Sequence, residues 1–365
     1  MNVLVVNAGS SSLKLRVLDS ADAVVAGRDL DAPRARVDED ELAAALGALG
    51  PVDAVGHRVV HGGTRFVGPV RLDAQVVEAL HELADLAPLH QLKSLEGIAA
   101  VSRALPDLPA VACFDTAFHA TLAPAAATYA LPAAWRERFG LRRFGFHGLS
   151  HAYASRRAEH LLGDTPLRVV TCHLGAGASL AAVRAGVSVD TTMGFTPLEG
   201  LVMATRSGSV DPGLVLWLLE HTGMAESELA HALEHESGLL GLAGSADMRA
   251  VVAGAERGQE PARTALDVYL HRLRAGIAAM AAALDGLDAL VFTAGVGENA
   301  PAVRAGAAAG LDFLGVALDP ERNRTAPPDA NVSAAGAPVH TLVIAAREDL
   351  EIARQVREVL DGGPG

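Results

Sequence analysis

Three short segments of glycine and other small residues each follow an apolar stretch, and their residue types suit a phosphorylated ligand. They are NAGSSSLK at 7–14, HLGAGAS at 173–179 and TAGVGEN at 293–299. Glycine lets a backbone approach a ligand closely, and the first segment combines backbone N–H groups, hydroxyls and a lysine, all of which bind phosphate oxygens. One such loop could be a simple hairpin turn. Three of them predict a nucleotide clamped between two halves of the chain.

These segments do not match the common nucleotide-binding patterns. The first lacks GxxxxGK[ST], and a strand rather than a helix is expected after it, which excludes a P-loop. Neither of the other two contains GxGxxG opening a helix, so a dinucleotide-binding Rossmann unit is disfavoured.

Two arginines lie among small residues rather than on a polar helix face: Arg58 in GHRVVHGG and Arg206 in MATRSGSVDP. Each could be an ordinary surface arginine. The chain has 30 basic and 43 acidic residues and a net charge of −13, which argues against sequence-independent nucleic-acid binding. An acidic protein that moves a phosphoryl group still needs guanidinium groups to neutralise the phosphoryl oxygens in the transition state. We therefore expect this pair to form such a clamp.

An aspartate and a histidine are further candidates. Asp115 follows the apolar run AVACF, where it could cap a helix or lie at the carboxyl edge of a sheet, where the active sites of open α/β folds collect. His147 in RRFGFHGLSH could be structural or could hydrogen-bond a transition state. Other histidines lie near glycines, but no HExxH motif or paired cysteines support a zinc site.

The bulk composition is that of a globular protein of two domains. The chain has 365 residues, of which 50% are apolar and 20% charged, and single cores stop growing near about 250–300 residues. Cys113 and Cys172 lie in apolar runs and are predicted to be buried, reduced thiols. Since the amino terminus lacks a signal-like pattern and the longest uncharged apolar stretch, 275–284, is too short to span a bilayer, we expect a cytoplasmic location.

Apolar periodicity predicts alternating strands and helices, which is typical of an α/β layer architecture. VVNAGSSSLKL and TCHLGAGASLAAV share one order: a strand, a polar residue, a small-residue loop and a second strand. This similarity indicates duplication of a strand–turn–strand unit, one copy per domain. The predicted strands are 3–6, 13–18, 52–60, 110–114, 167–172, 180–183, 188–190, 288–292 and 339–345, and the predicted helices are 39–49, 264–284 and 348–360.

Taken together, the motifs resemble those of the acetate kinase family, in order and nearly in spacing, from residue 1 to the C-terminal helix. The matching segments are VVNAGSSSLKL, GHRVVHGG, LAPLH, FDTAFH, YALP, RFGFHGLSH, CHLGAGAS, MGFTPLEGLVMATRSGSVDP, SGLLGLAGSADMR and VFTAGVGEN. The resemblance implies two ribonuclease-H-like domains related by duplication, as in actin-like ATPases, with mixed sheets flanked by helices and the nucleotide in the cleft between them. The expected domains are 1–118 completed by 348–365, and 119–347.

For the reaction centre, the resemblance implies that Arg58 and Arg206 hold the carboxylate and the phosphoryl group in flight. It implies that Asp115 is the essential acidic residue near acetate. His147 would hydrogen-bond the phosphoryl group, so that His147 and Arg206 stabilise the transition state. Together with Arg58, the pocket for the acetate methyl group would be formed by Val60, Leu89, Phe146 and Pro197.

The resemblance also implies ATP or ADP as substrate and Mg²⁺ (or Mn²⁺) as cofactor. The metal would be associated with Asn7 and Glu348, although the residues just before Glu348 differ from the usual Thr-Asn or Thr-Asp. The implied nucleotide-binding residues are Asn7, Ser10, Ser12, Lys14, His173, Gly175 and Gly177 for the phosphates and Asp247, Arg249, Gly295, Gly297 and Asn299 for the nucleoside.

Several positions depart from the family pattern. Ala176 and Ala178 stand where HLGNGSS is usual, which removes an amide and a hydroxyl near the phosphates, and Ala204 stands where a glycine precedes Thr-Arg. Leu149 replaces a threonine, Gln91-Leu-Lys replaces Asn-Pro-Pro, and the chain is shorter ahead of Arg58. The catalytic residue types are kept, so we expect activity with altered nucleotide affinity.

The resemblance thus implies reversible phosphoryl transfer from ATP to acetate in a homodimer. We expect the chain to bind neither nucleic acid nor membranes. Acetate is already ionised near neutral pH, because carboxyl groups have pKa values of about 4–5, so no general base is required. Two alternatives stay open: a propionate or other short-chain acyl kinase, and a nucleotide-binding regulatory relative with weakened catalysis. An apolar pocket inferred from sequence does not separate acids that differ by one methylene.

Overall fold

The computed structural model describes residues 1–8, 12–31, 38–83 and 88–362, without the side chains of residues 88–90. The chain divides into two compact units. Unit 1 comprises Met1–Ala120, Phe146–Tyr153 and Arg347–Gly365, and unit 2 comprises Thr121–Gly145 and Ala154–Ala346. That two independently folding domains have the boundaries expected from the sequence stays a prediction.

Each unit contains its own sheet. The strands of unit 1 are β1 Val3–Ala8, β2 Ser12–Leu18, β3 Val24–Asp31, β4 Ala54–Val59, β5 Val70–Arg71 and β6 Ala110–Phe114. The strands of unit 2 are β7 Arg168–Leu174, β8 Ala178–Arg184, β9 Val187–Thr191, β10 Ala289–Thr293, β11 Ala330–Asn331 and β12 His340–Val343.

Helices connect and flank these strands. In chain order they are α1 Glu39–Ala48, α2 Ala74–Glu82, α3 Pro88–Ala104, α4 Pro124–Ala127, α5 Ala133–Phe139, α6 Gly148–Leu161, α7 Pro212–Thr222, α8 Glu226–His231, α9 Gly238–Ala243, α10 Met248–Glu256, α11 Glu260–Ala283, α12 Ala294–Asn299, α13 Pro301–Ala308, α14 Pro320–Thr325 and α15 Glu348–Leu360. Ala117–His119 and Asp312–Leu314 are short 3-10 helices, and Ala232–Glu236 forms a π-helical turn.

The two sheets have the same topology. The strand orders are β3-β2-β1-β4-β6-β5 and β9-β8-β7-β10-β12-β11. In both sheets the first three strands pair antiparallel. The third, fourth and fifth strands then pair in parallel, each with the next, and the last strand pairs antiparallel with the fifth. The predicted duplication is confirmed. Because parallel strands end at the same edge, the segments after β4 and β6, and those after β7 and β10, are brought together.

Helices cover both faces of the sheet in unit 1. From α15, Ile352, Ala353 and Val356 pack against alternating residues of β1, β4 and β6. On the opposite face, Leu80 of α2 and Ile98 of α3 join a second apolar cluster. With both faces covered, the inner strands are mostly apolar runs, which is why the sequence indicated them; His57 and Arg58 near the end of β4 are exceptions.

Unit 2 is built in the same way around long apolar strands. Every residue of β10 is buried, and β7 and β8 each have a single residue that is not. The long helix α11, which the sequence predicts at 264–284, buries Leu273, Ile277 and Met280. Cys113 and Cys172 are free thiols in buried strand positions, as predicted.

One element differs from expectation. TAGVGEN was predicted to be an irregular glycine loop, but residues 294–299 form the short helix α12 directly after β10. Its two glycines are poor helix formers, so the helix depends on tertiary contacts that no local pattern indicates. None of the helices within the described ranges combines the length and apolar character needed to cross a bilayer.

A substitution at Gly56 tests how closely α15 packs on the sheet. A Cβ at this position of β4 would lie 2.5 Å from a methyl carbon of Ile352 and 2.7 Å from one of Val356. We expect Gly56→Ala to lower the free energy of unfolding by about 1–3 kcal/mol because the buried helix must move.

Gly47, near the end of α1, is the matched control, since no atom lies within 4 Å of its added Cβ. Gly47→Ala should leave stability unchanged or raise it by up to about 1 kcal/mol. Urea unfolding measures both variants. Equal stability of Gly56→Ala and wild type would contradict the packing described.

Candidate active site

A buried ion pair lies at the carboxyl edge of the unit 1 sheet. Arg58 is near the end of β4, and Asp115 directly follows the parallel neighbour β6. The guanidinium donates from Nε to Asp115 Oδ1 (3.1 Å) and from Nη2 to Oδ2 (2.6 Å). The Asp115 side chain is 1% exposed and that of Arg58 is 19% exposed. This two-pronged pairing fixes the plane of the guanidinium.

Two further polar side chains complete what we call the Arg58 cluster: Asn7, Arg58, Asp115 and Glu348. Arg58 Nη1 donates to Asn7 Oδ1 (3.2 Å), and Asn7 Nδ2 donates to Glu348 Oε2 (3.4 Å). Glu348 Oε2 also lies 3.8 Å from Arg58 Nε. These hydrogen bonds use three of the five guanidinium N–H groups of Arg58, so two have no acceptor among the described residues.

The electrostatics of the cluster keep Arg58 charged. Burial alone would lower the pKa of Arg58, but Asp115 and Glu348 more than offset this, and its pKa is raised. Burial raises the pKa of the Asp115 carboxyl, an effect that the adjacent Arg58 opposes. Asp115 does not cap a helix; it orients Arg58 instead.

The segment Phe146–His147–Gly148 is fastened beside Asp115. The Gly148 N–H donates to the Asp115 carbonyl (2.9 Å), and a Cβ on residue 148 would collide with that same oxygen. His147 lies just before α6 with φ +55°, a left-handed conformation that is strained for a residue other than glycine. The hydrogen bond between Gly148 and Asp115 therefore helps to fix the backbone from which the His147 side chain projects.

His119 contacts the same segment at Phe146. Its buried Nε2 lies 3.1 Å from the Phe146 carbonyl oxygen. A carbonyl only accepts, so Nε2 carries the proton. The Phe146 ring is 1% exposed and meets the His61 ring edge to face at 5.5 Å.

The first glycine-edged segment is described in part. Asn7 of β1 and Lys14 of β2 are directly opposite each other, and with Ser12 they share one face of the hairpin. Lys14 is exposed and Ser12 half-buried. Ser10 and the side chain of Leu89 lie outside the described residues. Val60, directly after β4, is half-buried.

Unit 2 holds a cavity of about 390 Å³ at the carboxyl ends of β7 and β10. Five of the residues expected to bind nucleotide line it: Gly175, Asp247, Arg249, Gly295 and Asn299. Three others do not: His173 is buried in β7, Gly297 is buried in α12, and Gly177 lies outside the lining.

Several cavity residues were not anticipated, and most are apolar: Leu239, Ala246, Met248, Tyr269, Val296 and Ala300. Apolar side chains in a wall resemble core residues in sequence, so no local pattern distinguishes them. The remaining two, Ala176 and Ala204, are positions that depart from the family pattern. The Ala204 N–H donates to the Ala176 carbonyl (3.1 Å), so both departures lie on one part of the wall.

Two residues that are expected to bind the nucleotide, Asp247 and Arg249, form an ion pair with each other. Asp247 caps α10 by accepting from the Arg249 N–H (2.9 Å), and the Arg249 guanidinium donates to both carboxylate oxygens. Asn299 Nδ2 donates to the Gly295 carbonyl (2.9 Å) and so braces α12.

Arg206 lies beside Pro197 in unit 2. Its Nη1 donates to the Pro197 carbonyl (2.7 Å), and among the described residues no carboxylate is at salt-bridge distance from it. Burial lowers the pKa of Arg206, while the charge of Glu234 acts the other way. The guanidinium therefore has most of its donors available for an anion.

Comparison with known proteins places this geometry in a family. A profile of the acetokinase family matches residues 36–354.

The chain belongs to the acetokinase family.

It is 48% identical over 399 residues to an acetate kinase from Leifsonia xyli subsp. xyli, with 99% of each chain covered. Among solved structures, acetate kinase from Porphyromonas gingivalis superposes with a TM-score of 0.90 at 34% identity and covers 98% of this chain and 99% of its own. A propionate kinase from Francisella tularensis subsp. tularensis SCHU S4 gives the same TM-score, identity and coverage.

Membership in the acetokinase family makes the chain a kinase, that is, a phosphotransferase acting on small molecules. Its fold is the expected one: two mixed six-stranded sheets flanked by helices, duplicated as in actin-like ATPases.

The buried His119 predicts an acid-side loss of stability. Burial lowers the pKa of His119 to about 4, whereas an unfolded histidine takes up a proton below about 6.5. Between pH 6.5 and 4 the unfolded state therefore binds more protons, and this histidine's contribution to stability is lost as pH falls. The slope is about 1.4 kcal/mol per pH unit for one group.

We expect His119→Gln, which keeps a donor for the Phe146 carbonyl, to flatten the pH dependence of urea unfolding between pH 6.5 and 5. The matched control is His160→Gln, since the side chain of His160 is 63% exposed. An unchanged slope in His119→Gln would show that His119 does not stay neutral when buried.

Proposed function

We propose that the chain transfers the γ-phosphoryl group of ATP to acetate, reversibly, giving acetyl phosphate and ADP. The observation that supports this most directly is the guanidinium of Arg58, which buried Asp115 fixes and which has two N–H groups that no described residue accepts from. Fixed donors in a partly buried site suit a carboxylate or phosphoryl oxygen.

In the proposed reaction an acetate oxygen attacks the γ-phosphorus in line. The new O–P bond forms as the bond from phosphorus to the β–γ bridging oxygen breaks, and that oxygen leaves with ADP. Acetate is already ionised, since carboxyl groups have pKa values of about 4–5, so no residue removes a proton. Catalysis then rests on placement and charge neutralisation.

Each polar residue has a separate task in this proposal. Arg58 holds the carboxylate, Asp115 orients Arg58, and Arg206 neutralises the phosphoryl oxygens. His147 hydrogen-bonds the phosphoryl group in the transition state. Its strained backbone, held by the Gly148–Asp115 hydrogen bond, is the support for this role.

The acyl group would lie against Val60, Leu89, Phe146 and Pro197. A propionate kinase is as similar to this chain as an acetate kinase is among the structures compared. Propionate is therefore the second candidate acid. One methylene changes the discrimination by about 1–3 kcal/mol, which an assay resolves.

For the nucleotide, we propose that the nucleoside occupies the unit 2 cavity beside Asp247, Arg249, Gly295 and Asn299. The phosphates would contact Asn7, Ser10, Ser12 and Lys14 in the first segment and His173, Gly175 and Gly177 in the second. Gly297 would support the adenosine segment from within α12. These contacts rest on the motifs and on the cavity lining.

We further propose Mg²⁺, or Mn²⁺, as the cofactor. Mg²⁺ keeps several waters and is bound through one or two carboxylates together with substrate phosphates. Glu348 and the amide of Asn7 fit such a sparse donor set, and among the described residues no group of three acidic, histidine or cysteine side chains could hold an ion alone. When bound, the ion would neutralise phosphate charge.

The first test is a coupled assay with acetate, propionate and butyrate, with and without Mg²⁺, repeated on Arg206→Ala. We expect turnover that is highest with acetate and abolished without the metal. Arg206→Ala should lower kcat by at least about 10²–10³-fold, because charge developing in the transition state loses its partner.

The control is Arg324→Ala, an exposed arginine of α14 that pairs only with Glu321 among the described residues. It should match the wild type. Full activity of Arg206→Ala would refute the proposed role. ADP binding without turnover of any of the three acids would instead favour the regulatory alternative suggested by Ala176, Ala178 and Ala204.

We also propose that two copies of the chain form a homodimer through helix α7. This helix has the sequence PGLVLWLLEHT, and none of its residues is buried. Leu214, Leu216 and Trp217 are 48%, 58% and 52% exposed. An exposed apolar helix of this kind favours a protein partner, and a second copy of the same helix in an isologous pair is the simplest one.

Sedimentation velocity tests the dimer. Wild type should sediment as a dimer, and Trp217→Glu should shift it toward monomer because the new charge would be buried between copies. Val67→Glu is the control, since Val67 is an exposed apolar residue of unit 1. A monomeric wild type, or a Trp217→Glu dimer of unchanged affinity, would contradict the proposal.

A cytoplasmic location is the remaining part of the proposal. Two free buried thiols suit a reducing compartment, and cell fractionation tests it.

A further inference from the structure

Arg304 is the largest fully buried side chain of the described residues. It lies in the middle of α13 and is 1% exposed. Among those residues, no carboxylate is at salt-bridge distance from it. Burial lowers its pKa, but a guanidinium is not deprotonated in proteins. A buried charge without a counter-ion is expensive unless hydrogen bonds satisfy it, so its bonds are informative.

Four hydrogen bonds satisfy Arg304, and all go to uncharged oxygens. Nη1 donates to the carbonyls of Gly297 (2.8 Å) and Glu298 (2.7 Å). Nε and Nη2 donate to the side-chain and backbone oxygens of Asn323 (2.7 and 2.6 Å). Asn323 is itself buried and donates to the Pro301 carbonyl (2.9 Å). Arg304 therefore ties the last turn of α12 to Asn323 in α14.

The last turn of α12 attracts a cation electrostatically. Carbonyl groups at the end of a helix lack partners within the helix and carry partial negative charge. At six residues, α12 is far shorter than the roughly 12–15 residues at which isolated helices become even marginally stable, and it contains two glycines. Its shape must be imposed from outside.

This short helix forms one wall of the unit 2 cavity. Gly295, Val296 and Asn299 of α12 line the cavity, as does Ala300 immediately after it. Arg304 is not among the lining residues. It holds the wall from behind, through the carbonyls of the two residues that lie between Val296 and Asn299.

We propose that Arg304 is a positioning residue for nucleotide binding: it fixes α12 so that the cavity is preformed for the nucleoside. This inference rests on the proposed function, in which that cavity takes the nucleoside. We expect loss of Arg304 to change the affinity for nucleotide and not the rate of phosphoryl transfer, because its hydrogen bonds go to α12 and α14.

Arg304→Lys and Arg304→Met test it. Lysine keeps the charge but offers a point donor in place of a planar fork. We expect KM for ATP to rise about tenfold in Arg304→Met, equivalent to about 1.4 kcal/mol, and by less in Arg304→Lys. The values of kcat and of KM for acetate should stay within twofold of wild type in both.

Asn323→Ala gives a second approach if Arg304→Met does not fold. It removes one acceptor of Arg304 and the brace on Pro301, and should raise KM for ATP alone by a smaller factor. Arg324→Met, next to Asn323 in α14 and 68% exposed at the side chain, is the control and should change nothing.

The outcomes are distinct. A folded Arg304→Met with an unchanged KM for ATP overturns the inference. A lower kcat together with higher KM values for both ATP and acetate also overturns it, because a merely structural role would give that result. If the wild type fails to phosphorylate any acid, the proposed function fails. Calorimetric binding of ADP to wild type and Arg304→Met then tests the positioning role independently.

Discussion

The buried carboxylate of Asp115 requires a cation beside it, and this requirement organises the Arg58 cluster. An unpaired buried carboxylate is strongly destabilising, and Arg58 meets the need with two hydrogen bonds to the two oxygens. The pair forms only if β4 and β6 are parallel neighbours whose carboxyl ends meet. The same arrangement brings in Asn7 from β1 and Glu348 from α15.

Duplication has placed different chemistry at equivalent positions. Both sheets have the same strand order and directions, so each brings the carboxyl ends of neighbouring parallel strands together. Unit 1 places charged side chains there, while unit 2 places glycines and alanines that leave a cavity. The fold supplies a location, and the residues after the strands decide whether that location binds by charge or by shape.

Hydrogen bonds that buried side chains donate to main-chain carbonyls hold both proposed sites in place. His119 fastens Phe146, next to His147, and Arg304 fastens the last turn of α12. His119 is the last residue of FDTAFH, one of the segments that carry the family resemblance, whereas Arg304 lies outside all of those segments. Each is buried and donates to backbone carbonyls beside the site, which makes it a part of the site's geometry rather than of its chemistry.

The sequence alone determined the buried strands, since helices on both faces of a sheet require apolar runs. It also indicated the duplication, the acetokinase resemblance and the types of the proposed site residues. Tertiary structure decided the rest. It paired Asp115 with Arg58 rather than with a helix end, turned residues 294–299 into a helix, and gathered apolar residues such as Leu239 and Met248 into a cavity wall. The physical reason is that these outcomes depend on partners distant in the chain, and a local pattern of residues carries no information about which distant group will satisfy a buried charge or cover a short helix.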